Sequence, residues 1–455
     1  MRNKFSLQSL KSQVAGLAAA LIMGFALAPG AVTPAAAQPN EQFVPLLSYR
    51  VGPFAAGGSG LFGGFIDYMN MINQRDGGIN GVKLAWEECE TEYNASRGVE
   101  CYERLKRKHP SGSAAVHPLS TGITYGLIDR VLTDKVPMIT IGYGRTDAAD
   151  GRVFPYVFPM ITTYWSQASA MVNYIGTKEG GLDKLKGKKI VHLYHDSAYG
   201  KEPIPVFEAL AKRHGFELTL MPVPNPGNEQ QSQWLQIRQI KPDYVILWGW
   251  GVMNPTALKA AQRIGFSREK MIGVWWSGSE EDVIPAGEAS RGFVAAGFHP
   301  GGANAAPVMG EIRKNVYAKK LGNLEDDSRF GSIYHVRGVV HGIITVEGIR
   351  RAQERYGKKP LTGEQLRWGY ENINLDAKRL AELGATGLMP PLKMSCADHE
   401  GGGAVKFQQW DGKVWKTVTD WVQGDRQMVR AMIEESASKY AKEKGITPRD
   451  CSKES

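Results

Sequence analysis

Residues 189–200 read Lys-Ile-Val-His-Leu-Tyr-His-Asp-Ser-Ala-Tyr-Gly, and their first half is a short apolar run of the kind that forms a buried strand. Its position decides the fold, because it restarts a rhythm that the chain has already run once. On the amino-terminal side, strands are expected at Phe43–Tyr49, Val82–Trp86, Ala114–Val116 and Pro137–Ile141. Helices over Gly64–Gln74, Ser96–Lys108 and Gly122–Leu132 alternate with them. After the restart come a helix at Ile204–His214, a strand at Tyr244–Trp248, a helix at Pro255–Arg263 and a strand at Met271–Trp275. A helix over Ser166–Gly176 leads into this second round. Strands alternating with helices argue for parallel, helix-covered sheets, and two rounds argue for two α/β units joined around Phe158–Tyr164. A long helix over Tyr334–Tyr356 follows. Near the end, Val405–Trp410 and Val414–Val418 flank Asp411-Gly412-Lys413, a strong hairpin signal. An isolated hairpin is marginal, so it is expected to dock on one of the sheets.

The first forty residues have a different character. Arg2, Lys4 and Lys11 precede an apolar run from Val14 to Ala28, and Ala35-Ala36-Ala37 supplies small residues for cleavage. This is the pattern of a secretory signal peptide over 1–37, with the mature chain starting near Gln38. Export to the periplasm is the expectation. The leader holds three basic residues and no acid, so the formal charge falls from +9 to +6 on cleavage. Basic and acidic residues are interspersed, as in Glu100-Cys101-Tyr102-Glu103-Arg104, which argues against a nucleic-acid partner. Cys89, Cys101, Cys396 and Cys451 form an even set in an oxidising compartment, with three possible connectivities. Cys89–Cys101 and Cys396–Cys451 are favoured because each closes within one local segment.

Enzyme motifs do not carry a reading here. Gly58-Ser59-Gly60-Leu61-Phe62-Gly63 matches G-x-G-x-x-G, yet Arg50–Gly57 separates it from the preceding strand, whereas a dinucleotide site needs the first glycine almost at once. These glycines are read instead as a loop at a helix start, where the backbone approaches a ligand and its amides act as anion donors. His192 and His195 are read as capping or surface histidines, and Asp398-His399-Glu400 as a polar turn. P-loop, HExxH and G-x-S-x-G patterns are absent. No catalytic residue, metal or cofactor is expected.

Several segments, in order and at fitting spacing, carry a family resemblance. They are Val51-Gly52-Pro53-Phe54, Gly77-Gly78-Ile79-Asn80-Gly81, Pro137-Met138-Ile139-Thr140, His195-Asp196-Ser197-Ala198-Tyr199-Gly200 and Thr256-Ala257-Leu258-Lys259-Ala260-Ala261. With these the chain resembles the type I periplasmic solute-binding proteins of ABC importers, the leucine/isoleucine/valine-binding group. The resemblance implies two Rossmann-like lobes with parallel sheets joined by a three-crossing hinge. Lobe 1 would comprise 38–162 plus 298–392, and lobe 2 would comprise 163–297 plus 393–455. It also implies a monomer that traps a small molecule between closing lobes and presents it to an ABC permease in the inner membrane.

The resemblance also implies a site. Ser120 and Thr121 match the segment that holds a ligand carboxylate, and Gly142 and Tyr143 match the next ligand loop. The family's threonine is Gly144 here, so Arg145 is expected to replace it as an anion donor. Phe54, Tyr164, Tyr199 and Trp250 are expected to face the cleft. Amino-acid binders place a glutamate after the strand at Met271–Val274, where it meets the ligand ammonium. This chain has Trp275 and Trp276 there, with Glu280 and Glu281 a few residues on. An ammonium desolvated without a carboxylate costs several kcal/mol. Gly57 stands where the family's tyrosine would be, which is expected to open the pocket. The favoured ligand is therefore an aromatic carboxylate, with aromatic walls stacking on its ring. An amino acid or amide is the alternative, and a ligand sensor or a secreted α/β enzyme are the remaining ones.

Overall fold

The computed structural model describes residues 40–454, so the leader expected over 1–37 lies outside the described residues. Among the described residues no helix is long and apolar enough to cross a membrane. The first round of the chain runs β1 (Glu41–Leu46), α1 (Ala55–Asp76), β2 (Lys83–Glu88), α2 (Ala95–Leu105), α3 (Thr121–Asp134), β3 (Met138–Ile139) and β4 (Val157–Phe158). β1 pairs in parallel with β2, and β3 with β4. Residues 113–117 join the two pairs through parallel bridges from Phe43 to Ser113, Leu46 to His117 and Val116 to Met138.

The second round runs α4 (Tyr164–Glu179), β5 (Lys189–His195), α5 (Ala198–Lys201), α6 (Ile204–His214), β6 (Glu217–Val223), α7 (Gln231–Ile240) and β7 (Tyr244–Trp248). It continues with α8 (Met253–Arg263), β8 (Met271–Gly273), α9 (Glu280–Val283) and β9 (Val294–Gly297). Its strands lie in the order β6-β5-β7-β8-β9, all parallel. The chain then returns to the first unit as α10 (Pro307–Asn315), α11 (Ile333–Tyr356), α12 (Gly363–Glu371), β10 (Asn374–Leu375), α13 (Ala377–Glu382) and β11 (Leu392–Lys393). It crosses a third time to add β12 (Ala404–Trp410), β13 (Trp415–Thr417) and β14 (Val422–Gln423) to the second sheet, with β12 antiparallel to β9. That is where the Asp411-Gly412 hairpin docks.

The last helix, α14 (Arg426–Lys444), spans both units. At its start the Asp425 amide donates to Ser169 Oγ of α4 at 2.7 Å. At its end Tyr440 stacks on Phe154 at 4.8 Å and donates to Asp129 of α3. Residues 393–455, expected together on lobe 2, are thus shared between the two. The Cys89–Cys101 and Cys396–Cys451 disulfides are both formed.

α1 begins at Ala55, nine residues before its expected start at Gly64, and so absorbs the Gly58–Gly63 run. These glycines are not a loop with free amides. They lie within the helix, where other chain segments leave no room for a side chain: a Cβ on Gly58 would lie 1.9 Å from the Tyr49 carbonyl, and one on the neighbouring Gly64 2.0 Å from that of His335. On the facing helix a Cβ on Gly338 would lie 2.1 Å from the Leu61 carbonyl. α1 and α11 therefore touch backbone to backbone, which side chains at these positions would prevent. Gly64→Ala is expected to lower stability by about 2 kcal/mol through this clash. Gly310→Ala, in a helix with open space around it, should leave stability unchanged or slightly raised; the two denaturation midpoints compare them directly.

Candidate functional site

Each sheet reverses its winding at one point. In the second, the first strand β5 lies between β6 and β7, so the crevice falls at the carboxyl ends of β5 and β7. Tyr199 and Trp250 follow those two strands. In the first, β1 lies between β2 and the 113–117 segment, and Phe54 and Ser120 follow them. The two crevices face one another across a cavity of about 390 Å³, within the roughly 300–1,000 Å³ of small-molecule sites. Lobe 1 lines it with Pro53, Phe54, Tyr93, Asn94, Ala95, Ser120 and Gly122, and lobe 2 with His195, Ser197, Ala198, Tyr199, Asn225, Pro226 and Trp250. A hollow of about 450 Å³ elsewhere is ringed by Arg350, Arg351, Lys378 and Arg379 but equally by Glu347, Glu354, Asp376 and Glu382. It is surface charge in balance, away from both crevices.

The cavity combines aromatic walls with helix starts. Asn94 and Ser120 cap α2 and α3 by accepting from the Arg97 and Ile123 amides. The positive ends of both helix dipoles thus border the cavity. Lining Trp250 has its Nε1 buried without a partner, as is Thr121 Oγ1 at the start of α3. No lysine or arginine lines the space, and its one carboxylate, Glu92, is exposed and pairs with Arg97. His195 Nδ1 meets Ser197 Oγ at 2.9 Å and Nε2 meets Asn225 Oδ1 at 3.2 Å. Burial lowers its pKa, so it presents a neutral ring. His192 is not at the surface; it is fully buried and its Nε2 meets the Gly200 carbonyl.

Aromatic contacts close the lobes around this space. Trp276 stacks on Tyr143 at 4.3 Å and its Nε1 donates to the Tyr164 hydroxyl. Trp250 enters a lobe-1 socket made by Tyr49, Phe54, Tyr93 and Tyr334. The floor of that socket is Gly57, where a Cβ would lie 2.5 Å from the Trp250 ring. Gly57 therefore makes room for Trp250, not for a ligand. Gly142 has the same relation to Trp275: its φ is +74° and a Cβ would lie 1.9 Å from that ring.

Trp275 is fully buried against Phe298 and does not line the cavity. Arg145 is not an anion donor to the cleft. One edge of its guanidinium, Nε and Nη2, donates to the two carboxylate oxygens of Asp147 at 2.6 and 2.7 Å, and its plane lies over Tyr440 of α14. Of the expected residues, Phe54, Ser120, Tyr199 and Trp250 come together on the cavity; Thr121, Tyr143, Tyr164 and Trp276 pack behind it. Tyr93, Asn94 and Asn225 were missed. The loops after β2 and β6 carry them, so the strand-end rule applied to every strand would have found them.

Neither Glu280 nor Glu281 lines the cavity. Glu280 accepts from the Ile333 amide at 2.8 Å. Asp282 accepts from Asn254, Tyr334 and the Ser279 amide. A fully buried arginine, Arg337, lies over the rings of Trp275, Trp276, Phe298 and Tyr334 and donates to the Trp275 carbonyl at 3.0 Å.

The family model described as periplasmic binding protein matches residues 41–414. The chain belongs to the periplasmic binding protein family. A solved structure from the Pseudomonas fluorescens group, described as an ABC transporter permease, is similar to this binding protein at 49% identity and a TM-score of 0.85. The match covers 91% of this chain and 100% of that one. A Thermus thermophilus branched-chain amino acid ABC transporter protein with bound valine shares 20% identity and a TM-score of 0.74, over 87% and 99% of the two chains. An R. palustris solute-binding protein in complex with benzoate shares 17% and 0.66, over 84% and 97%. At these identities the last two establish a common fold. No curated protein matches the chain.

Burial pushes Asp282 up to about 7, against the hydrogen bonds that favour its carboxylate form. Its pKa is higher folded than unfolded, so the stability it contributes is complete below its unfolded value and is lost as pH rises through about 7. The melting temperature of this binding protein is expected to fall across that window. Asp282→Asn should flatten the fall, which thermal scans at a series of pH values will read.

Proposed function

We propose that this periplasmic binding protein is the substrate-binding component of an ABC transporter, that it captures a small aromatic carboxylate between its lobes, and that it hands the ligand to a membrane permease without chemical turnover. The carrying observation is the cavity itself: aromatic walls from both lobes, two helix starts on one side, and no free carboxylate on any side. A carboxylate ligand meets the positive ends of the α2 and α3 dipoles and the Ser120 hydroxyl. Its ring finds Phe54, Tyr93, Tyr199 and Trp250. A zwitterionic amino acid lacks a partner for its ammonium, because Asp282 and Glu280 are already hydrogen-bonded elsewhere and Glu92 stands exposed beside Arg97. The benzoate complex of the R. palustris relative supports the ligand class, and the signal-like residues 1–37 support a periplasmic location.

A thermal-shift series of benzoate- and cinnamate-type acids against leucine and valine tests this reading. Stabilisation by the aromatic acids is expected, growing with concentration as mass action requires; stabilisation by leucine alone overturns it. Trp250→Ala should weaken the aromatic acid by tenfold or more, about 1.4 kcal/mol. Calorimetric titration measures that loss.

A further inference from the structure

We infer that Glu202 is the latch that holds the two lobes shut over the cleft, and so sets how long a ligand is retained. The inference rests on the binding role proposed above and goes beyond it by naming the residue that governs release.

Glu202 immediately follows α5, three residues after the cavity-lining Tyr199, and belongs to lobe 2. Both of its carboxylate oxygens are held by lobe 1. Oε1 accepts from the Thr146 amide at 2.6 Å, and Oε2 accepts from the Tyr125 hydroxyl of α3. The residue's own carbonyl accepts from Trp165 Nε1 at 2.8 Å, which fixes its backbone at the start of α4. A buried carboxylate whose two acceptors are both satisfied from the opposite lobe cannot keep those bonds when the lobes part. Opening returns it to water. Charge-assisted bonds of this kind are among the stronger ones.

The donor side is braced from behind. Asp147, next to Thr146, accepts from Nε and Nη2 of Arg145 and from the Ser436 hydroxyl of α14. The Arg145 plane rests on Tyr440 of the same helix. Thus α14 holds the 145–147 segment where Glu202 meets it. This accounts for the burial of Asp147 and the half-burial of Arg145, which the ligand cavity does not use.

Two variants test the latch, Glu202→Ala and Tyr125→Phe, with Glu202→Gln as a conservative partner that keeps an acceptor for the Thr146 amide. In the ligand-free protein, small-angle scattering should show a larger radius of gyration for Glu202→Ala than for wild type, at unchanged far-UV circular dichroism. With benzoate as probe, stopped-flow should show a dissociation rate about tenfold faster for Glu202→Ala and an association rate within about twofold of wild type. Glu202→Gln should fall between them. Adding Tyr125→Phe to Glu202→Ala should change little, because the shared contact is already lost. An unchanged radius and dissociation rate in folded Glu202→Ala overturn the latch. If benzoate fails to bind even wild type, the ligand class proposed above falls, and the scattering comparison still decides the latch.

Discussion

The contact on which the rest depends is aromatic and crosses between the lobes: Trp276 on Tyr143, with Trp250 seated among Tyr49, Phe54, Tyr93 and Tyr334. Rings suit this task because they bury large apolar area with few rotatable bonds, and their edges and faces attract. The seat exists only because Gly57 has no side chain. Each lobe alone would leave its winding-reversal crevice open to water. Joined in this way, the two crevices border one shared cleft, walled by rings from both lobes.

Around this seam, charge is admitted only where it is matched. Arg337 is fully buried without a carboxylate bonded to it, and burial lowers its pKa to about 10. Four aromatic faces and the Trp275 carbonyl take the place of a counter-ion. Asp282 sits nearby with three donors. Asp67 shows the same rule in lobe 1, where Tyr317, His335 and the Asn323 amide surround it. Such groups are costly to bury alone, and each one here ties together elements distant in sequence.

The architecture was largely legible because hydrophobic periodicity is local. Tyr244–Trp248 is a strand over the residues that the apolar run marks, and Ile204–His214 is a helix over the bounds its spacing gives. Both disulfides follow from proximity in sequence. Legibility failed where a residue's role depends on what packs against it from afar. Glycine in a helix is unfavourable by propensity, so the Gly58–Gly63 run reads as a loop. The close approach of Tyr49 and α11 to this helix is what requires glycine there. β6 and α7 escaped because their apolar faces are narrow: β6 alternates with several half-exposed residues and α7 buries only Trp234 and Ile237.

By itself, the sequence determined two rounds of βα units and a hairpin, because hydrophobic periodicity and turn chemistry are local; the candidate cleft residues Phe54, Ser120, Tyr199 and Trp250 came from its resemblance to a known family. Tertiary structure alone decided which aromatic rings wall the cavity and which close it. It sent Arg145 to Asp147 and the last helix, gave Gly57 and Gly142 to tryptophans, and set Glu202 across the lobes. These outcomes depend on which side chain arrives from the opposite lobe, and no local pattern encodes that meeting.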